Sequence, residues 1–108
     1  MSGNPLFNLR DILQQARGMQ EKMQQELDAL RVEASTGGGM VTVRMNGQRQ
    51  ILELKIDPQL VRDGDQEMIE ELVRGAMNQA LKEVDEQMRK KMGALAGNLG
   101  LPNLPGLF

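Results

Sequence analysis

The stretch that decides the fold is TGGGMVTVRMNGQRQILELKID, residues 36–57. Apolar residues alternate with mostly polar ones on both sides of Asn46-Gly47, at Val41, Val43, Met45, Leu52, Leu54 and Ile56. A period of two is typical of a strand with one apolar face. Asn-Gly supplies the two residues that a type I′ turn needs. The stretch is therefore predicted to form a β-hairpin, and a two-stranded ribbon needs other elements to cover its apolar face.

A shorter alternation lies just before the three glycines at positions 37–39. Val32 and Ala34 alternate with polar neighbours, which predicts a further strand that pairs with the strand after the glycines. Residues 31–57 are then a three-stranded antiparallel sheet. The alternative is that residues 31–34 continue the preceding helix. Phosphate-binding glycine loops precede a helix, whereas here a strand follows. The glycines are therefore predicted to form a turn between two strands.

Residues 5–30 are predicted to form a long amphipathic helix that Asn4 caps and Pro5 begins. Its apolar residues recur at steps of three and four, at Leu6, Leu9, Leu13, Ala16, Met19, Met23, Leu27 and Leu30. A helix of about 25 residues spans nearly 40 Å, whereas a strand of about seven residues spans about 23 Å. This helix should therefore overhang the sheet for much of its length.

A second long helix is predicted over residues 64–92, after Asp57-Pro58 ends the last strand. Asp63 and Asp65 lie where this helix would begin, and acidic side chains are favourable near the positive N-terminal end of a helix dipole. Its apolar face is two rows wide, with one row at Met68, Leu72, Ala76, Ala80, Val84, Met88 and Met92 and the other at Ile69, Val73, Met77 and Leu81. Such a wide face predicts a partner subunit. Residues 93–108 carry no charge and are predicted to be a flexible tail, with a docking peptide as the alternative.

Composition indicates one α+β domain over residues 1–108 and argues against catalysis. The chain has no cysteine and no histidine, so thiolate chemistry, disulfides and the usual proton shuttle at neutral pH are missing. Its nine methionines at helical spacing are expected to pack in a core or dimer interface. We therefore expect no enzyme activity, no metal, no cofactor and no small-molecule substrate. No apolar window is long enough for a membrane span, so a cytoplasmic protein without a membrane partner is expected.

The net charge is −2, which argues against strong generic affinity for nucleic acid, but the charges are unevenly distributed. Acids dominate residues 63–71, whereas cations recur on the two helices, at Arg10, Arg17, Lys22, Lys82, Arg89, Lys90 and Lys91. One interpretation is a solvated face with ion pairs such as Lys82 with Glu86. The other is that overhanging helices present these cations to the phosphates of DNA. These seven residues are the candidate DNA-binding site.

The order of these signals resembles the YbaB/EbfC family of bacterial nucleoid-associated proteins. The resemblance runs from Leu6 to the C-terminus, through QQARGMQEKMQQELDAL, GMVTVRMNGQRQILELKIDPQLV and DGDQEMIEELVRGAMNQALKEVDEQMRKKM. Its most specific part is residues 41–58, with Asn46-Gly47 and Ile56-Asp57-Pro58. The resemblance implies a homodimer of two α-β-β-β-α subunits whose projecting helices bind DNA and change its conformation, in the cytoplasm and on the nucleoid. The seven cations match helical regions that the family associates with DNA binding.

Two functions are compatible with these observations. The first is a homodimeric nucleoid-associated protein that binds DNA through phosphate contacts and takes part in nucleoid organisation and gene regulation. Because no aromatic or base-reading motif accompanies the cations, sequence discrimination should be weak. The alternative is a dimeric adaptor without DNA binding, whose Met-rich helical faces take up a partner helix.

Overall fold

The structure is a computed structural model that describes residues 5–98. Its elements are helix α1 (Pro5–Ala29), strands β1 (Val32–Thr36), β2 (Val41–Met45) and β3 (Ile51–Ile56), and helices α2 (Pro58–Asp63) and α3 (Gln66–Asn98). The predicted α+β class with an open three-stranded antiparallel sheet is confirmed. Helix α1 lies within one residue of its predicted bounds. Helix α2 was not predicted.

The sheet is a meander in the order β1-β2-β3, with both pairs antiparallel. Val32 pairs with Met45 at one end of the sheet, and Thr36 pairs with Val41 at the other. The glycines between β1 and β2 have φ angles of 62°, 66° and 94°. Glycine adopts this left-handed region readily because it has no Cβ. The predicted glycine turn is confirmed.

The connection between β2 and β3 differs from the predicted type I′ turn. It spans residues 46–50, and within it Arg49 alone has a positive φ, of 62°. The Arg49 amide donates to the Asn46 carbonyl at 3.1 Å, and Asn46 Oδ1 accepts from the amides of Gln48 and Gln50 at 2.9 and 3.0 Å. Asn46 therefore organises a longer loop through its side chain, and the prediction of two left-handed residues at Asn46-Gly47 is wrong.

The longer loop also shifts the register of β3. Arg44 pairs with Glu53, but its neighbour Met45 pairs with Ile51, so Leu52 is an extra residue in the ladder. A bulge of this kind moves the following side chains relative to the partner strand. Ile51 therefore joins Leu54 and Ile56 on the apolar face, and the predicted strict alternation from Leu52 is interrupted.

Helix α3 covers one face of the sheet over β1 and β2. The small side chains of Ala76, Ala80 and Val84 are fully buried and form one core with the sheet residues Val32, Ala34, Val41, Val43 and Met45. Small residues on the contact face let the helix axis approach the sheet closely. Thr36 Oγ1 donates to the Leu72 carbonyl at 2.7 Å, which fixes the start of α3 beside the glycine turn. Strand β3 remains largely uncovered on this face.

The short helix α2 follows β3 directly. Asp57 caps it, because its Oδ1 accepts from the Gln59 amide at 2.8 Å, and Pro58 occupies the first turn. Leu60 is buried, and Gly64, with φ 72°, ends the helix. Asp65 then caps α3 by accepting from the Met68 amide at 3.0 Å. Asp-Pro was interpreted only as a strand end, although it is also a helix-start signal.

Helix α3 continues to Asn98, so the prediction of a flexible tail from residue 93 is wrong for residues 93–98. The alanines of this segment favour a helix, and the first residue that breaks a helix strongly, Pro102, lies further along the chain. The rest of the predicted tail, residues 99–108, lies outside the described residues. The last segment of α3 therefore extends well beyond the sheet.

Helix α1 is attached to the sheet only near its C-terminal end. The Gly47 amide donates to the Leu27 carbonyl at 2.8 Å, and a Cβ on Gly47 would lie 2.6 Å from that oxygen. Helix α3 packs on the sheet, whereas the described part of α1 meets it only near Leu27. Its apolar residues Leu9, Ile12 and Leu13 are 50%, 60% and 55% exposed. The predicted overhang is present, and the molecule measures 75 × 25 × 17 Å.

Candidate nucleic-acid interface

The two overhanging helical segments leave the sheet at the same end. Helix α1 leads into β1 at Val32, which pairs with Met45 beside the loop of residues 46–50. Helix α3 starts near the glycine turn and passes this loop at Asp85, whose Oδ1 accepts from Arg49 Nη2 at 2.6 Å. The N-terminal part of α1 and the C-terminal part of α3 therefore both project beyond the end of the sheet that holds the loop.

The three candidate cations of α1 do not share one face. Arg10 and Arg17 line a common shallow groove with Leu13 and Gln14. They are separated by two helical turns, which is about 10 Å along the axis. Lys22 follows Arg17 by five residues and is rotated by about 140° from it. Arg10 and Arg17 can therefore contact neighbouring phosphates together, whereas Lys22 faces another direction.

The candidate cations of α3 spread around the helix. Lys82 and Arg89 are seven residues apart, so they point in nearly the same direction, and both are exposed. Lys90 and Lys91 each turn by about a further 100°. Lys91 is half-buried, unlike the other two members of the basic triplet. The structure therefore forms two pairs, Arg10 with Arg17 and Lys82 with Arg89, rather than one patch of seven.

None of the seven candidate cations takes part in an ion pair within residues 5–98. The ion pairs of this region are Arg44 with Glu33 at 2.9 Å, Arg49 with Asp85 at 2.6 Å and Lys55 with Glu53 at 3.1 Å. The pair considered between Lys82 and Glu86 is not formed. The candidate cations therefore remain available to an anionic partner.

The solvent face of the sheet is neutralised by its own charges. Arg44 lies between Glu33 and Glu53 in the strand register. The hydrogen bond to Glu33, with the charges of Glu33 and Glu53, raises the pKa of Arg44 above its ordinary value. A guanidinium that two carboxylates already surround is a poor ligand for phosphate. This face is thus an unfavourable surface for DNA.

The acids lie at the other end of the molecule. Helix α3 begins there, and the acidic residues are Asp63, Asp65, Glu67, Glu70 and Glu71. The net charge of −2 is therefore the sum of an acidic end and a more cationic overhanging end. A polyanion is repelled by the first and attracted by the second.

The structure also limits other kinds of site. Over residues 5–98, no group of three or more His, Cys, Asp or Glu side chains is placed to hold a metal ion. Over the same residues, no helix has an apolar stretch sufficient to cross a bilayer. The second apolar row that the sequence predicts along α3, Ile69, Val73, Met77 and Leu81, lines an open groove. This groove of about 430 Å³ is also lined by Glu70, Arg74 and Asn78.

Residues 5–99 match the YbaB/EbfC DNA-binding family. The chain belongs to this family. A nucleoid-associated protein of Acidobacterium capsulatum is 46% identical over 110 residues, which cover 97% of this chain and 99% of that protein. A nucleoid-associated protein of Koribacter versatilis is 42% identical over 96 residues, which cover 89% of this chain and 95% of that one. The resemblance predicted from the sequence is confirmed.

Among solved structures, an uncharacterized protein from Helicobacter pylori has the same fold. The TM-score is 0.69 at 24% sequence identity, and the match covers 81% of this chain and 91% of that one. At this identity the likeness concerns the fold alone. It agrees with the helix, three antiparallel strands and helices described above.

Proposed function

We propose that this protein binds DNA as a homodimer, through phosphate contacts from its overhanging helices and with little sequence preference. The observation that carries the proposal is a set of cations on α1 and α3 without ion-pair partners among the described residues. All of them except Lys82 lie on the segments that project from one end of the sheet. Membership of a DNA-binding family supports the same assignment. The proposed contacts are made by Arg10, Arg17, Lys22, Lys82, Arg89, Lys90 and Lys91.

The chemistry of these residues favours phosphate contacts over base reading. Lysine and arginine on exposed helix faces reach the DNA backbone without entering a groove, and such contacts carry no sequence information. Within residues 8–94 and at position 97, where side chains are described, there is no aromatic residue to stack on a base. Affinity should therefore fall steeply with salt, because each neutralised phosphate releases counterions.

The test is a binding titration on three unrelated duplexes over a salt series, with fluorescence anisotropy as the readout. We expect similar affinities for the three sequences. Each phosphate contact should contribute about −0.9 to the slope of log K against log salt. The variant Arg89→Ala/Lys90→Ala/Lys91→Ala should bind more weakly and give a shallower slope, with helix content unchanged by circular dichroism.

A charge-matched control separates these cations from net charge. Arg44→Ala/Lys55→Ala/Arg62→Ala removes the same charge from the sheet and α2, away from the overhanging segments. This control should retain most of the affinity that the other triple variant loses. Equal losses in the two variants would mean that net charge, rather than the projecting helices, determines binding. No binding to any duplex at low salt and micromolar protein would refute the proposed function.

We further propose that binding changes DNA conformation and contributes to nucleoid organisation and gene regulation in the cytoplasm. Two sets of projecting cations in a dimer would contact separated stretches of backbone, so bending or bridging is the expected result. Energy transfer between dyes at the two ends of a duplex would rise on bending. A fluorescent fusion should coincide with stained DNA in cells. A non-catalytic role fits these contacts.

The adaptor function remains the second candidate because the apolar side chains of α1 are exposed. An adaptor would hold protein partners after nucleic acid is removed. Affinity purification with and without nuclease distinguishes the two functions, because partners that DNA connects disappear after digestion.

A further inference from the structure

The loop of residues 46–50 contains the dipeptide Asn46-Gly47, which is chemically reactive. When glycine follows asparagine, the backbone nitrogen of the glycine attacks the side-chain amide more readily than that of other residues, because glycine has no side chain to obstruct the approach. The loop takes no part in the proposed DNA contacts. Its chemistry is therefore independent of them.

The reaction at such a pair needs no catalyst and only water as co-reactant. The Gly47 nitrogen loses its proton to a base from solvent and forms a bond to Asn46 Cγ, and the Asn46 Nδ2 group takes up a proton and leaves as ammonia. The product is a five-membered succinimide. Water then opens the ring at one of its two carbonyl carbons and leaves either aspartate or isoaspartate at position 46. No oxidation or reduction takes place.

In the folded chain both reacting groups are held by hydrogen bonds. The Gly47 amide donates the proton that it would have to lose to the Leu27 carbonyl of α1, at 2.8 Å. Asn46 Nδ2, the leaving group, donates to Gln50 Oε1 at 2.8 Å. Asn46 is 4% exposed, so a base from solvent has little access to the pair. The fold therefore suppresses the reaction at both nitrogen atoms.

The restraint on the Gly47 nitrogen comes from helix α1. The Leu27 side chain covers this position, since a Cβ on Gly47 would lie 3.0 Å from Leu27 Cδ2. The amides of Gln48 and Gln50 donate to Asn46 Oδ1, where negative charge develops during the attack, so these two bonds favour the reaction. Separation of α1 from the loop is therefore the event that would start it.

Three features favour opening of this junction. Gln48 Nε2 is buried without a hydrogen-bond partner among residues 5–98, which is unfavourable until water reaches it. Arg49 has a φ of 62°, a conformation that residues with a Cβ rarely adopt. Helix α1 meets the rest of the described chain only near this point, so few contacts oppose its separation. Native proteins open locally at such weakly held places without global unfolding.

We propose that Asn46-Gly47 is a deamidation site that the attachment of α1 protects. While the Leu27 carbonyl holds the Gly47 amide, Asn46 persists. Each separation of α1 exposes the pair to water and base. The modification converts an amide to a carboxylate, and its rate reports how often the junction opens.

The products oppose the return of α1 to the loop. Aspartate places an acceptor where Asn46 Nδ2 donated to Gln50 Oε1, and it leaves a charge at a buried position. Isoaspartate carries the main chain through the former side chain and so lengthens the loop by one atom. The loop has no room for this atom near α1, because even a Cβ on Gly47 would lie 2.6 Å from the Leu27 carbonyl oxygen. Modification therefore makes the separation of α1 irreversible.

Peptide mass mapping of the full chain during incubation at neutral pH tests the proposal. The fraction of aspartate plus isoaspartate at position 46 is followed with time in native buffer and in concentrated urea at the same pH. Asn78, an exposed asparagine before Gln79, is the reference within the same molecule. We expect position 46 to react at least about tenfold more slowly in the native protein than in the unfolded chain. Equal rates in the two states would overturn the proposal.

Two leucine variants of α1 test its role. Leu27→Ala removes the side chain over Gly47, and we expect deamidation at position 46 to accelerate about threefold to tenfold while Asn78 is unchanged. Leu9→Ala makes the same change on the overhanging part of α1 and should leave the wild-type rate. Circular dichroism confirms that the variants fold, and if Leu27→Ala does not, the native and unfolded wild-type rates decide. A folded Leu27→Ala with the wild-type rate would overturn the protection by α1.

The effect of the product is measured on Asn46→Asp, which provides the aspartate form directly. We expect its Gly47 amide proton to exchange with deuterium at least about tenfold faster than in the wild type, because the bond to Leu27 opens more often. An unchanged exchange rate would overturn the effect on α1. None of these measurements involves DNA, so their outcome is independent of the proposed function.

Discussion

The two long helices of this chain have the same kind of apolar pattern but different environments. Helix α3 buries Ala76, Ala80 and Val84 completely against the sheet. Helix α1 repeats apolar residues at the same steps, yet Leu9 and Leu13 remain half exposed. The difference lies in the contacts rather than in the sequence pattern, because α1 touches the rest of the described chain only near its C-terminal end.

Periodicity identifies an apolar face but not the surface that covers it. Much of the stability of a helix in a protein comes from packing of its amphipathic face. Helix α3 obtains that packing within the subunit. Helix α1, with 25 residues, has to obtain it elsewhere. The exposed apolar residues of α1 therefore fit the proposed homodimer.

The largest expected effect comes from comparing two methionines, one in the core that α3 covers and one on α1. Met45 is 1% exposed in the core, and Met19 is 51% exposed on α1. Met45→Ala should lower the free energy of unfolding by about 2–5 kcal/mol, because it removes contacts and leaves a cavity. Met19→Ala should cost less than about 1 kcal/mol in the isolated subunit, since alanine favours a helix. Urea denaturation at several protein concentrations measures both.

A small loss for Met19→Ala at low concentration that grows as dimers form would show that self-association covers this side chain. A small loss of unfolding free energy for Met45→Ala at every concentration would contradict the placement of Met45 in the core between the sheet and α3.

The next effect concerns two glycines, one at the junction of the regions and one within α1. A Cβ on Gly47 would meet the Leu27 carbonyl at 2.6 Å, whereas a Cβ on Gly18 would meet nothing within 4 Å. Gly47→Ala should therefore destabilise the protein by about 1–3 kcal/mol through overpacking. Gly18→Ala should raise helix stability by about 0.5–1 kcal/mol. Thermal denaturation followed by circular dichroism compares the two, and a neutral Gly47→Ala would mean that α1 joins the sheet loosely.

Gly47 also explains why part of the fold was not predictable from local sequence. Asn-Gly between two strands usually marks a hairpin turn with left-handed residues. Here helix α1 approaches residue 47 so closely that only glycine fits. The Asn46 side chain holds the loop through its hydrogen bonds. The contact is between residues 20 positions apart in sequence. A turn prediction based on neighbouring residues has no access to it.

Other elements followed directly from local signals. The alternation of Val41 and Val43 predicted a strand, and the periodic stripe of α1 predicted its helix. Helix α2 was missed because Asp57-Pro58 both ends a strand and begins a helix. The end of α3 was missed because the lack of charge after Met92 was given more weight than the residues that favour a helix there.

The candidate site was predictable in composition but not in arrangement. Sequence gives the cations, and a rotation of about 100° per residue would already have shown that Arg89, Lys90 and Lys91 fan around α3. What sequence could not provide is that α1 and α3 overhang the same end of the sheet. That arrangement depends on the strand register, with Val32 opposite Met45.

The smallest expected effect lies in the loop between the two regions, at Arg49. Its φ of 62° is unfavourable for a residue with a Cβ, by about 1 kcal/mol or more. Its ion pair with Asp85 joins side chains that are 57% and 47% exposed, and such pairs contribute about 0–1 kcal/mol. Arg49→Gly removes both terms, so its net effect on the free energy of unfolding should be close to zero. Arg49→Ala keeps the strained backbone and loses the pair, so it should be less stable than Arg49→Gly by about 1 kcal/mol.

Urea denaturation of both variants separates backbone strain from charge. If Arg49→Gly were instead the less stable of the two, the ion pair could not be the reason, because both variants lack it, and the backbone of the loop in solution would have to differ from a left-handed Arg49.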